Sequence, residues 1–252
     1  MIPLRDSIPA SRTPIVRNVL IGICAAAFLL QLTVGREMTF ALGMIPERLL
    51  DGDPDGGLTT SGRPFGIAGP VYVDPAWVPD WLTLLTCTFL HGGWLHFLGN
   101  MLFLWIFGDN VEDRFGRVPF ALFYLGCGVA ASVAHLLASP GSPIPTIGAS
   151  GAIAGVMGAY MFLYPKAKVL TLVPLGFLLV DFVLPAPLFL GYWFVLQLVQ
   201  GTVDSSVGGG VAWWAHIGGF VVGAAVAGGL KWSTRLRPAP QSIVLTGRRR
   251  RR

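Results

Sequence analysis

The chain has 252 residues, 53% hydrophobic and 12% charged, with a formal net charge of +5. That is about half the charged fraction of an average soluble domain, too little to cover an ordinary water-facing surface. Intrinsic disorder, a collagen-like fibre and a disulfide-stapled scaffold are excluded, and the composition points to the bilayer.

Charge-free windows locate the predicted elements. Asn18 to Gly35 is uncharged and aliphatic, long enough for a first span, and more spans follow it, so it does not read as a cleavable signal peptide. A long loop, Arg36 to Asp80, is rich in proline, glycine and acid. A second window runs from Trp81 to Gly108, with its apolar helical part at about Leu95–Phe107. No charge occurs between Arg117 and Lys166, about twice the length one span needs. The run from Ser139 to Pro145 divides that window, since proline and glycine end helices, giving spans three and four at about Val118–Ala138 and Ala149–Tyr164.

The segment from Lys168 to Pro187 is apolar but broken by Pro174, Gly176, Asp181 and Pro185. It reads as a membrane-hugging loop. The alternative is a seventh span over Val169–Leu184. Spans five and six follow at about Leu188–Val203 and Val211–Leu230. The three cysteines, Cys24, Cys87 and Cys127, fall one per apolar stretch without metal or redox spacing and read as small buried hydrophobes.

With six spans, fifteen of the eighteen basic residues share one side: Arg5, Arg12, Arg17, Arg114, Arg117, Lys166, Lys168, Lys231, Arg235, Arg237 and Arg248 to Arg252. Only Arg36, Arg48 and Arg63 lie on the other, diluted among Glu37, Glu47, Asp51, Asp53, Asp55, Asp74 and Asp80. The expected fold is an all-α polytopic membrane bundle of six spans with both termini cytoplasmic. It divides into an N-terminal tail (1–17), a membrane domain (18–231, long outer loop 36–80) and a basic C-terminal tail (232–252). The Arg248–Arg252 run could meet nucleic acid or anionic lipid; a solvated positive tail is preferred, and no nucleic-acid partner is expected.

Polar residues inside spans are costly unless paired, so they carry the functional signal. Ser150 lies in Gly148-Ala149-Ser150-Gly151 at the start of span four, where free N–H groups favour a developing oxyanion. Alone, it also reads as an ordinary helix-capping serine. His216 precedes Gly219, Gly223 and Ala227 on its own face of span six, and span four offers Gly151, Gly155 and Gly158. Such stripes let two membrane helices nearly touch, aiming His216 at a neighbouring helix. It reads as the acceptor of the Ser150 proton or as a packed core histidine. His96 and Asn100, four apart, share one face of span two and could hold an oxyanion. These groups sit within about 10 Å of the same boundary at 1.5 Å per residue. His91 and His135 read as structural. No acid accompanies the histidines, so neither a metal site nor a triad is expected.

These residues resemble the rhomboid family of intramembrane serine proteases from Trp81 to Gly229. The matching motifs are His96-Phe-Leu-Gly-Asn100, Glu112-Asp113-Arg114, Gly148-Ala149-Ser150-Gly151, and Ala215-His216-Ile217-Gly218-Gly219 with Gly223. The resemblance implies Ser150 as nucleophile, His216 as general base, and His96, Asn100 and the Ser150 N–H as the oxyanion hole. It implies a structural Glu112–Arg114 ion pair, and span five with the loop Thr202–Val211 as a gate for substrate helices. The implied activity is a serine-type endopeptidase, without cofactor, acting on transmembrane-helix substrates from the outer aqueous side. Since no organelle-targeting segment is evident, a bacterial-type inner membrane with the site on its extracytoplasmic side is expected. A catalytically silent rhomboid-like binder of membrane clients is the alternative. The chain lacks the Trp-Arg pair often found in the family's first loop, and carries Ala154 where the family often has an aromatic residue one turn beyond the serine.

Overall fold

The helices of the computed structural model follow the charge-free windows. It describes residues 1–51, 77–176, 178–203, 211–232, 236–238 and 240–245. α1 (Ile15–Val34) occupies the first window. α2 (Arg36–Leu42), α3 (Pro46–Asp51) and α4 (Asp80–Thr86) are short pieces at the two ends of the long loop. The long helices α5 (Trp94–Phe115), α6 (Arg117–Ala138), α7 (Ser150–Leu163), α8 (Ala186–Val203) and α9 (Trp213–Trp232) follow. By length and hydropathy α1, α6, α8 and α9 can each cross a membrane. α5 ends in a charged turn, and α7 has only 14 residues, about 21 Å.

α7 is the centre of the bundle. Its residues from Gly151 to Tyr160 are all buried, and α9, α6 and α5 pack around it. Small residues make this possible. A Cβ on Gly219 would fall on the Gly151 carbonyl oxygen, one on Gly223 on that of Gly155, and one on Gly158 on that of Phe220. α7 and α9 therefore meet backbone to backbone, as their small-residue stripes predict.

The all-α expectation needs correction, because the fold is mostly helical with a small sheet. β1 (Ile2–Asp6), β2 (Lys168–Leu175) and β3 (Leu178–Pro185) form an antiparallel sheet in the order β1-β2-β3. The segment read as a membrane-hugging loop is a hairpin, and the seventh-span alternative fails with it. Pro174 bars a helix there, and Gly176 at φ +60° supplies the left-handed turn residue. Within residues 1–17, β1 joins this sheet: Asp6 pairs with Val169, and Pro3 is tolerated because β1 is an edge strand. Part of the C-terminal segment also folds back. Arg237 N–H donates to the Arg114 carbonyl at 3.1 Å and Ile243 N–H to that of Ser7 at 2.7 Å.

The expected Glu112–Arg114 ion pair is absent among the described residues. Positions two apart on a helix point to different sides. Glu112 instead accepts the N–H groups of Val16 (3.1 Å) and Arg17 (2.8 Å), capping the start of α1. Arg17 lies over the Trp105 ring and pairs with Asp109 at 3.5 Å. Most of the first loop, the centre of the α8–α9 loop and the Arg248–Arg252 run lie outside the described residues.

Candidate active site

Ser150 is the first residue of α7, and Ala149 is its cap. The serine side chain does not turn back on its own helix: Oγ lies 2.7 Å from Nε2 of His216 on α9. This pairing depends on the glycine contacts below it, which bring the two helices close enough for a serine and a histidine to touch. Its backbone N–H, in the first helical turn, has no intrahelical acceptor.

Gly148 shapes the approach. Its φ of +132° suits glycine, and a Cβ there would lie 2.8 Å from both Cε1 and Nε2 of His96 and 3.5 Å from Ser150 Oγ. The His96 ring edge thus faces the backbone just before the serine. His96 Nδ1 accepts the Gly92 N–H at 3.2 Å, so in the neutral ring Nε2 carries the proton toward Gly148. Asn100, one turn along α5, lies beside it, and its Nδ2 has no hydrogen-bond partner among the described residues.

Ser150, His216, His96 and Asn100 all line one cavity of about 820 Å³, bounded by α5, the loop from Ser139 to Ile147 and the start of α9. Of the site residues expected from sequence, these four come together. Gly148, Gly151, Gly219 and Gly223 shape and pack the helices that hold them, while Glu112 and Arg114 lie at the opposite end of α5.

Three residues at the site were not foreseen. His135 lines the same cavity, and its Nδ1 lacks a partner among the described residues. His91 does not line it; its ring packs against Phe28, His96 and Phe97. Trp193 of α8 lies 5.6 Å, ring to ring, from His216, so α8 supplies an aromatic partner where α7 has only Ala154. Gln197, also on α8, has Oε1 2.7 Å from His216 Nδ1 and donates Nε2 to the Trp193 carbonyl at 3.1 Å. An uncharged amide within an apolar span was the signal that could have found it.

The profile of the Rhomboid domain family matches residues 78–232, more than half of the chain. The chain is 34% identical over 153 residues to the rhomboid protease GluP of Bacillus subtilis (strain 168), covering 60% of this chain and 27% of that protein. It is 30% identical over 156 residues to rhomboid protein 1, mitochondrial, of Saccharomyces cerevisiae, covering 58% and 41%. To rhomboid-like protein 11, chloroplastic, of Arabidopsis thaliana it is 33% identical over 111 residues, covering 43% and 39%. The matched region is less than half the length of each of these relatives.

Proposed function

The chain belongs to the rhomboid family, and on that premise we propose that it is an intramembrane serine endopeptidase, cleaving peptide bonds in or near the spanning segments of other membrane proteins. The observation that carries this reading is the 2.7 Å approach of Ser150 Oγ to His216 Nε2 on the wall of the cavity. As Oγ bonds to the scissile carbonyl carbon, its proton passes to His216 Nε2 and the carbonyl π pair becomes the oxyanion. In this reading Asn100 Nδ2, His96 Nε2–H and the Ser150 N–H donate to that oxygen. The proton on His216 then leaves on the amine nitrogen as the C–N bond breaks. Water repeats the sequence on the acyl-enzyme and frees the serine.

The protein is an integral membrane protein. In the proposed arrangement all six long helices span, residues 18–231 form the membrane domain, and both termini are cytoplasmic because the basic residues concentrate on their side. A helix of 14 residues, about 21 Å, is shorter than a hydrocarbon core of about 30 Å. A serine on its first residue therefore sits just below the outer headgroups, within reach of water from the extracytoplasmic side of a bacterial-type plasma membrane. A substrate helix must unwind before its peptide bonds are exposed, so glycine or proline near the cleavage point favours cleavage. No cofactor takes part.

A fluorophosphonate probe tests this directly. Labelling of the purified full chain, lost in Ser150→Ala, together with cleavage of a reconstituted single-span substrate, is the expected result. A chain that neither labels nor cleaves would be a silent binder of membrane clients.

A further inference from the structure

Gln197 is buried on α8, and both ends of its amide are engaged. The Trp193 carbonyl, one turn earlier, can only accept a hydrogen bond, so the amide nitrogen must face it at 3.1 Å. That leaves the amide oxygen facing His216 Nδ1 at 2.7 Å. An amide oxygen also only accepts, so Nδ1 must carry the imidazole proton. A neutral imidazole has one N–H, and Nε2 is therefore bare where it meets Ser150 Oγ at 2.7 Å. Each bond leaves a single assignment for the next.

We infer that Gln197 is a positioning residue that selects the His216 tautomer able to take the Ser150 proton. What that tautomer is for rests on the protease reading; the tautomer itself does not. The same turn of α8 also sets its Trp193 ring beside the imidazole, centroids 5.6 Å apart and planes tilted by 40°, so one helical turn both orients and packs the base. Among the described residues no carboxylate bonds His216. During transfer, Nε2 gains the serine proton while Nδ1–H stays on Gln197 Oε1. The amide thus holds the ring through the step without taking a proton. Because it is neutral, it stabilises the resulting imidazolium less than a carboxylate would. Its loss is therefore expected to cost roughly 10–100-fold in kcat, against about 10⁴-fold for a mis-tautomerised triad.

The test is nitrogen NMR of the full chain in detergent micelles with ¹⁵N-labelled histidine, at about pH 8, where an ordinary imidazole is neutral. The His216 signals are assigned by their disappearance in His216→Ala. In the wild type Nδ1 should be protonated and Nε2 bare. A wild-type His216 protonated on Nε2 overturns the inference, whatever any variant does. Gln197→Met keeps length and apolar packing but removes the acceptor. It should give a mixture of tautomers and the loss in kcat, with KM within about twofold. A Gln197→Met protein with unchanged tautomer and unchanged kcat also overturns it. If the wild type shows the Nδ1–H tautomer but neither labels at Ser150 nor cleaves, the protease reading falls and the positioning role stands.

Discussion

The two ends of α7 meet buried polarity in opposite ways. At its first residue, Ser150 opens onto a cavity whose walls keep unused hydrogen-bonding groups, among them Asn100 Nδ2 and His135 Nδ1. At its far end, Tyr160 donates to the Asp6 carboxylate of β1, Asn110 Nδ2 donates to the same carboxylate at 2.7 Å, and Tyr164 donates to the Asn110 carbonyl at 2.9 Å. Burial without a partner costs about 1–3 kcal/mol for such a group. The sheet end avoids most of that cost by pairing its groups with one another, with only the Asn110 Oδ1 of this network left unmatched among the described residues. The serine end keeps donors unmatched, which makes sense where a developing oxyanion is to be bound.

Substitutions at the serine end should cost activity and leave stability alone, and those at the sheet end the reverse. Ser150→Ala or His216→Ala should lower turnover of a reconstituted substrate by at least about 10⁴-fold with an unchanged melting temperature. Retained turnover in either would remove the catalytic role of this end. Asn100→Ala should lower kcat by roughly 10²–10³-fold, again without a loss of stability. Gly219→Val tests the joint between α7 and α9. Its side chain would overlap the Gly151 carbonyl, so the protein should lose about 1–3 kcal/mol and activity together, read by thermal melting and cleavage in one preparation.

At the sheet end, Tyr160→Phe removes a donor to Asp6 and should cost about 1–3 kcal/mol while turnover per folded molecule holds. The last test at this end is a pH slope. Burial raises the Asp6 carboxyl from 3.8 to about 7, with Asp109 adding to the rise and the Tyr160 hydrogen bond opposing it. The folded chain thus holds that proton more tightly than the unfolded one. Its contribution to stability is full below about pH 4 and is lost as pH rises to about 7. Melting temperatures from pH 4 to 8 should show this fall, and Asp6→Asn should flatten it. An equal slope in both proteins would mean that another group titrates.

Much of this was legible before any coordinates. Five of the six expected spans became helices to within three residues, because spanning or burying a helix requires an uninterrupted apolar run, whereas α5 continues eight residues past Phe107 into a charged turn. The glycine stripes of α7 and α9 forecast their close contact, since only small residues permit it. The sheet was illegible for a physical reason: β2 and β3 are apolar on both faces and show no clean alternation, and β1 lies more than 160 positions from the strand it joins. Glu112 was visible as a charged residue in a membrane-protein helix, but its actual partners are the α1 amides 95 and 96 positions away.

Sequence alone determined where the helices run, which faces meet and which serine and histidines share a level, because hydrophobicity and side-chain size act along a single element. Only the tertiary structure decided which way the imidazole proton points, what ring stands where Ala154 leaves none, and what seals the far end of α7. Hydrogen-bond direction is a property of partners brought together from distant parts of the chain, and no periodicity encodes it.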